Sequence, residues 1–302
     1  MFNYELYSAA QVRELDRIVI EEFDIAGYEL MQRAGRFSYE TLKKTWSECN
    51  YIIVICGCGN NAGDGYVLAK LAIEDKKDVR VVNCFNPEKL KGDAKIAYQD
   101  LLTTNVKLLN SSDLMYEFTS DEWTGDREIP PLNSQTVFVD AIFGTGLSRD
   151  IDDDTLRKII DEINWFGTHG AKVLSIDIPS GLNADTGSVK DFAVNADVTV
   201  TFMGIKKGML THHGCEYSGQ IILDSLDIPP ESYEILDEVK GGMFSSNCYD
   251  LHNDYSIPFH KRRRCNSHKG DFGHVLIVGG DEGYLGAAQM AAEAAMRVGS
   301  GL

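Results

Sequence analysis

Residues 56–65 read C-G-C-G-N-N-A-G-D-G, directly after the apolar segment 51–55 and just before a helix-like segment at 65–73. A glycine-rich turn joining a strand to a helix narrows the choice of fold, because it belongs to chains in which strands and helices alternate and the turn receives a ligand. Gly57, Gly59, Gly63 and Gly65 can take positive φ or let a ligand approach the backbone, and the N–H groups opening the following helix have no partner within it. An anion such as phosphate fits there without an arginine. Gly57-x-Gly59-x-x-Ala62 also fits the dinucleotide fingerprint. The ordinary form of that fingerprint places an acidic residue at the end of the second strand, about 20 residues on, for the ribose hydroxyls. Here the second strand, 79–85, carries Asn83 and Cys84 near its end, so a simple dehydrogenase reading loses an element. The turn instead offers Asn60, Asn61 and Asp64, side chains that can hold a ligand alongside the backbone.

Further apolar runs at 136–143, 172–178, 196–203 and 220–226 are strand-like, and helical patterns at 64–75, 88–102 and 154–166 separate several of the strands. That alternation predicts an α/β fold, a doubly wound and mainly parallel sheet with helices on both faces. Ahead of it, Ser8 with Gln11 forms a capping box, and Val12, Leu15, Ile18, Val19 and Phe23 recur at helical spacing. A second helix carries Leu30, Met31, Ala34 and Phe37 on one face. Residues 119–134 are polar, with two prolines, and read as an exposed insertion.

A chain of 302 residues, 43% hydrophobic, can build a substantial core. With 29 Lys and Arg against 46 Asp and Glu, the net charge of −17 disfavours nucleic acid and anionic membrane as partners. The basic cluster at 261–264 reads as a solvated linker. No run reaches the about 18 apolar residues of a membrane span, no secretory leader is apparent, and the expected compartment is the cytoplasm. The seven scattered cysteines read as reduced thiols. Cys56-x-Cys58 lacks a second Cys/His pair at zinc spacing, and His212-His213 reads as a surface loop.

In open α/β sheets ligands bind outside the carboxyl ends of the strands. Two later loops qualify. D-A-I-F-G-T-G-L-S-R-D, residues 140–150, sets Asp140 inside an apolar strand, where a carboxylate is expensive unless it meets donors or a cation. S-I-D-I-P-S-G-L-N-A-D-T-G, residues 175–187, closes a strand with Asp177 and bends at Pro179-Ser180-Gly181. Each aspartate alone could cap a helix or turn. Three such loops together could converge on one crevice, where Asn61, Asp140 and Ser180 supply oxygen ligands suited to a hard cation rather than zinc.

These motifs, with A-Q-V-R-E-L-D and L-M-Q-R-A-G in the opening helices and T-F-M-G-I-K-K-G near residue 205, resemble the N-terminal domain of the YjeF family, the NAD(P)H-hydrate epimerases. The resemblance covers roughly residues 5–230. It implies a Rossmann-like fold and interconversion of the R and S forms of hydrated NADH or NADPH (NADHX and NADPHX), hydroxylated on carbon 6 of the nicotinamide ring. By that similarity Asn60, Asn61, Ala62, Gly63 and Asp64, with Gly144, Thr145, Gly146, Leu147, Ser148, Arg149 and Asp150, hold the nucleotide; Asp177 contacts the ring; and Asn61, Asp140 and Ser180 bind a potassium ion. Lys206 matches a family lysine without a role attached, while Lys70 and Lys207 depart from the family's arginine and proline. The resemblance is compatible with a homodimer. Residues 268–302, expected to hold a strand, a Gly-Gly turn and a small-residue helix, resemble the start of the ADP-dependent NAD(P)H-hydrate dehydratase domain, a ribokinase-like α/β domain. The expected organisation is therefore an epimerase domain at 1–230, a linker at 231–267 and an incomplete dehydratase piece at 268–302. The longer parent would be bifunctional, and no dehydratase activity is expected of this chain.

The chemistry asks for proton transfer without redox. The ring nitrogen's lone pair can expel the hydroxyl, and water can re-enter the planar iminium from either face. A strand-end carboxylate suits that proton traffic, and Asp177 is the candidate. The rival reading is a non-catalytic binding or scaffold module, which rests on fold analogy alone.

Overall fold

The computed structural model describes residues 3–110, 135–146, 154–189, 191–240, 244–247, 266–279, 281, 285–297 and 299–300. The insertion expected at 119–134, the basic cluster at 261–264, and Leu147, Ser148, Arg149 and Asp150 lie outside those residues. Two compact units divide the chain, 1–253 and 254–302.

In the first unit strand β1 (Asn3–Tyr7) leads into helix α1 (Ala9–Glu22), whose N-terminus carries the expected capping box. Ser8 Oγ accepts the Gln11 N–H at 3.1 Å, and Gln11 Oε1 accepts the Ser8 N–H at 2.8 Å. Helix α2 (Gly27–Thr45) follows. The alternating part then runs β2 (Tyr51–Cys56), α3 (Asn60–Glu74), β3 (Asp78–Asn83), α4 (Gly92–Leu101), β4 (Lys107–Asn110), β5 (Thr136–Ala141), α5 (Asp154–Thr168) and β6 (Lys172–Ile176). After it come β7 (Val198–Phe202), β8 (Ile205–Lys206), β9 (Gln220–Asp224), α6 (Glu231–Lys240) and β10 (Phe244–Asn247).

Seven strands form one sheet in the order β4-β3-β2-β5-β6-β7-β9, and every neighbouring pair is parallel. Parallel strands packed on both faces should be apolar throughout. All six residues of β5 are buried, including Asp140. One face packs on α1, α2, α3 and α4 around Leu15, Leu42, Val54 and Leu68. The other packs on α5, where Phe138 and Phe166 stack with centroids 4.9 Å apart.

The chain winds outward from β2 through β3 to β4, then returns to lay β5 against the other side of β2. This reversal opens a crevice at the carboxyl ends of β2 and β5. Their register pairs Ile55 with Asp140 and Cys56 with Ala141, so the glycine turn and the Asp140 loop leave the sheet side by side. The approach is close: the Gly57 N–H donates to Ala141 O at 3.0 Å, and a Cβ on Gly57 would stand 1.9 Å from Ile142 O.

A second sheet, in the order β10-β1-β8, was not expected from the sequence. β1 pairs in parallel with β8, setting Tyr7 opposite Lys206, and antiparallel with β10. Residues 231–247, anticipated as the start of a linker, thus supply a helix and a strand to the first unit. Leu236 is buried in the core, and the Tyr233 hydroxyl donates to Met203 O at 2.7 Å.

The second unit contains a short 3-10 turn at Lys269–Phe272 and helix α7 (Leu285–Arg297). The strand expected after residue 272 makes no ladder among the described residues, and Leu276 and Val278 are each 88% exposed. A strand needs a partner for its N–H and C=O groups, and none of the described residues supplies one.

Candidate active site at the sheet's carboxyl edge

The residues expected as a turn, Asn60 through Asp64, open helix α3. Gly59 is the N-cap and provides no side-chain cap, so the first N–H groups face the crevice unpaired by a cap. Helical geometry places Asn61 and Asp64 three residues apart on the same side. Both line a cavity of about 480 Å³ together with Asp16, Gly144, Thr145 and Asp177. Asn61 is 6% exposed, and among the described residues neither its Oδ1 nor its Nδ2 has a hydrogen-bond partner.

Asp140 is fully buried and well supplied with donors. Its Oδ1 accepts the Ser180 hydroxyl at 2.6 Å and the Ile142 N–H at 3.3 Å. Its Oδ2 accepts the Ser180 N–H at 2.8 Å and the Ser175 hydroxyl at 2.9 Å. Burial pushes this carboxyl above the usual carboxylate value, and the four donors oppose that rise. Ser180 Oγ also accepts the Phe143 N–H at 2.9 Å, tying the two loops together.

Asp177 directly follows β6 with φ +70°, a left-handed conformation that aspartate tolerates better than most non-glycine residues and that contacts must hold in place. Three contacts do so. The Asp177 N–H donates to Val200 O at 2.7 Å, the Thr145 N–H donates to Asp177 Oδ2 at 3.0 Å, and Lys206 Nζ ion-pairs with Asp177 Oδ1. Gly144 is required here, because a Cβ would stand 2.6 Å from Asp177 Oδ2. Lys206 is completely buried and donates further to Thr201 Oγ1 at 2.8 Å and Phe202 O at 3.3 Å. The lysine without a role in the sequence is therefore the counter-ion of the strand-end aspartate.

Of the three residues expected to hold a cation, two are in contact. Asp140 and Ser180 are bonded directly, while Asn61 contributes a buried amide oxygen that lacks a donor. An oxygen-only set with one orphaned buried acceptor fits a hard cation. Among the described residues no group of three His, Cys, Asp or Glu side chains is spaced to hold a metal.

Sequence reasoning passed over Asp16. It sits on α1, half-buried, and lines the cavity between Val12 and Ile20. The signal was a carboxylate on the apolar stripe, four residues after Val12 and three before Val19. Its carboxyl is raised above the usual value by burial first, then by Asp177 and Asp93. Asp64 is raised well above that value by burial, then by Asp177 and Asp16, with Lys206 opposing. Arg13, one turn earlier on α1, donates to Thr145 O at 3.0 Å. Asn83, at the position where a dehydrogenase needs an acid, instead accepts the hydroxyl of buried Tyr66 at 2.7 Å. The last residues of the 175–187 loop are structural: Asp185 Oδ1 accepts the Ala9 N–H at 2.7 Å and so fixes the start of α1.

The fold is that of an α/β protein with a parallel doubly wound sheet, a capless helix N-terminus and an aspartate-lined cavity at its switch point, the place where ligands of such sheets bind. Residues 27–208 match the family described as YjeF-related protein N-terminus, and the chain belongs to that family. It is 37% identical over 297 residues to the bifunctional NAD(P)H-hydrate repair enzyme Nnr of Coxiella burnetii, covering 98% of this chain and 55% of that protein. The enzyme of the same name from Escherichia coli K12 is 32% identical over 299 residues, covering 99% of this chain and 52% of that one. The chain thus spans about half the length of the curated relatives it matches. The crystal structure of the yeast protein ynu0 shares the fold with a TM-score of 0.62 at 19% identity, over 82% of this chain and 97% of that one.

Proposed function

We propose that the first unit is an NAD(P)H-hydrate epimerase acting on the R and S hydrates of NADH and NADPH. The observation that carries the reading is Asp177: a strand-end carboxylate on the cavity wall, gripped by Lys206 on one oxygen and by the Thr145 N–H on the other. Family membership and the hydrate-repair names of the relatives support it.

In this reading Asn60, Asn61, Ala62, Gly63 and Asp64 at the start of α3, with Gly144, Thr145, Gly146, Leu147, Ser148, Arg149 and Asp150, hold the nucleotide. The helix N-terminus suits its phosphates. The ring nitrogen expels the carbon 6 hydroxyl, leaving a planar iminium, and water returns to the other face. Asp177 takes the proton of the entering water, and Lys206 stabilises its charge between turnovers. Asn61, Asp140 and Ser180 would hold a potassium ion, which would supply positive charge to organise the loops and the ligand's phosphates. The residues from 268 onward are read as the start of a dehydratase domain.

The test is proton NMR of R/S interconversion by the purified chain, with an expected rapid approach to the equilibrium mixture. A wild-type chain that leaves either hydrate unchanged overturns the reading. The ion site is tested separately by thermal unfolding: potassium at about 100 times its Kd should add about 2.7 kcal/mol to wild type and nothing to Asn61→Ala.

A further inference from the structure

We propose that Asp16 is a second catalytic carboxyl of this site, the group that protonates the hydroxyl leaving carbon 6; the proposal rests on the epimerase reading. Helix α1 delivers it. Val12, Asp16 and Ile20 recur at four-residue spacing and all line the cavity. The helix is held at its start by the Ser8–Gln11 box and the Asp185 contact to Ala9, and along its length by Arg13 donating to Thr145 O. Asp16 is therefore fixed relative to the loop that also donates to Asp177.

Its surroundings select its protonation state. The titratable groups facing it are Asp64 from α3, Asp93 from α4 and Asp177 from the end of β6. Among the described residues the nearby cations are engaged elsewhere: Lys206 by Asp177, Thr201 and Phe202, and the Arg13 guanidinium by Thr145 O. Among the described residues no donor reaches the Asp16 carboxyl, and a half-buried carboxylate without donors is costly. The neutral acid is the favoured form, in line with its raised pKa. The unpartnered amide of Asn61 on the same cavity independently marks this wall as one that receives a polar ligand.

Two carboxyls in unlike environments give the reaction an acid and a base. As the nitrogen lone pair forms the C6=N bond, the C6–O bond breaks and the departing oxygen takes the Asp16 proton, leaving as water. A second water bonds to carbon 6, the electron pair returns to nitrogen, and the proton of that water goes to Asp177. The net change is one water out, one water in and one proton moved from Asp16 to Asp177, which exchange with solvent reverses.

The test compares Asp16→Asn and Asp16→Glu with wild type in the full chain, following interconversion by proton NMR across pH and hydrate binding by calorimetry. Asp16→Asn should lower kcat by about 10²-fold, leave the hydrate Kd within about twofold and abolish the alkaline limb of the rate profile. Asp16→Glu should restore most of the rate and shift that limb. An active wild type with an equally active Asp16→Asn overturns this proposal and leaves the epimerase reading standing, whereas an inactive wild type overturns both. Rate and affinity falling together with the alkaline limb intact would assign Asp16 a structural role and also overturn it. Should Asp16→Asn fail to fold, an Asp16→Glu chain with the wild-type limb unmoved overturns it as well.

Discussion

Asp140, fully buried, and Asp64, half-buried against the cavity, are aspartates at the same edge of the sheet, yet they are treated in opposite ways. Asp140 sits at the tip of β5 with two hydroxyls and two backbone N–H groups on its oxygens. Asp64, like Asp16, faces the cavity with no donor among the described residues and other carboxyls as neighbours. A satisfied carboxylate holds loops together. An unsatisfied one is held by the rest of the fold in an environment that raises its proton affinity, which is of use where protons are exchanged. Asp177 lies between, fixed by one lysine and one N–H but still open to the cavity.

Lys206→Met would strip Asp177 of its counter-ion and leave it the Thr145 N–H alone. Breaking a buried pair on one side should destabilise the first unit by about 3–5 kcal/mol, read by urea unfolding. A loss under about 1 kcal/mol would mean that the pair is worth no more than a surface one. Asp177→Asn keeps the shape and removes the proton acceptor, so epimerisation should slow by about 10²-fold or more while nucleotide binding survives; an unchanged rate takes Asp177 out of the mechanism.

Asp140→Asn sharpens the contrast. Each oxygen of Asp140 receives a backbone N–H, from Ile142 on one side and Ser180 on the other. An asparagine must turn its NH₂ toward one of them, which should cost about 1–3 kcal/mol. Asp64→Asn should do the reverse and raise stability by about 0.5–2 kcal/mol at neutral pH, seen as a higher Tm. The sign follows from the direction of the shift. A carboxyl raised above its ordinary 3.8 binds its proton more tightly when folded, so its contribution is fully present below that value and is lost as pH rises through the folded pKa. The gain should therefore vanish in acid. If Asp140→Asn and Asp64→Asn change stability with the same sign, the distinction between the two carboxyls is broken.

The sheet was legible because its central strands are continuous apolar runs, and the six expected strands appear within two residues of their anticipated ends. β4 was missed because it has four residues and lies at the edge, and β1, β8 and β10 because two to five residues give too short a pattern. The start of α3 was read as a turn since N-N-A-G-D-G has turn composition. In the fold its glycines serve packing: a Cβ on Gly63 would stand 2.4 Å from Met31 Sδ, and one on Gly65 2.6 Å from Ala141 Cβ. Tertiary contact overrode local preference. The aspartates at strand ends were found from their apolar context, whereas the Lys206 pairing depends on a chain fold that no local pattern encodes.

The register that sets Tyr7 opposite Lys206 also makes the site a late product of synthesis. β1 emerges from the ribosome well before its partners, β8 at 205–206 and β10 at 244–247. At about 5–20 residues per second, the first strand waits for tens of seconds before either neighbour exists. Lys206 follows Asp177 by 29 residues, so a nascent chain stalled before residue 205 carries the strand-end aspartate without its counter-ion.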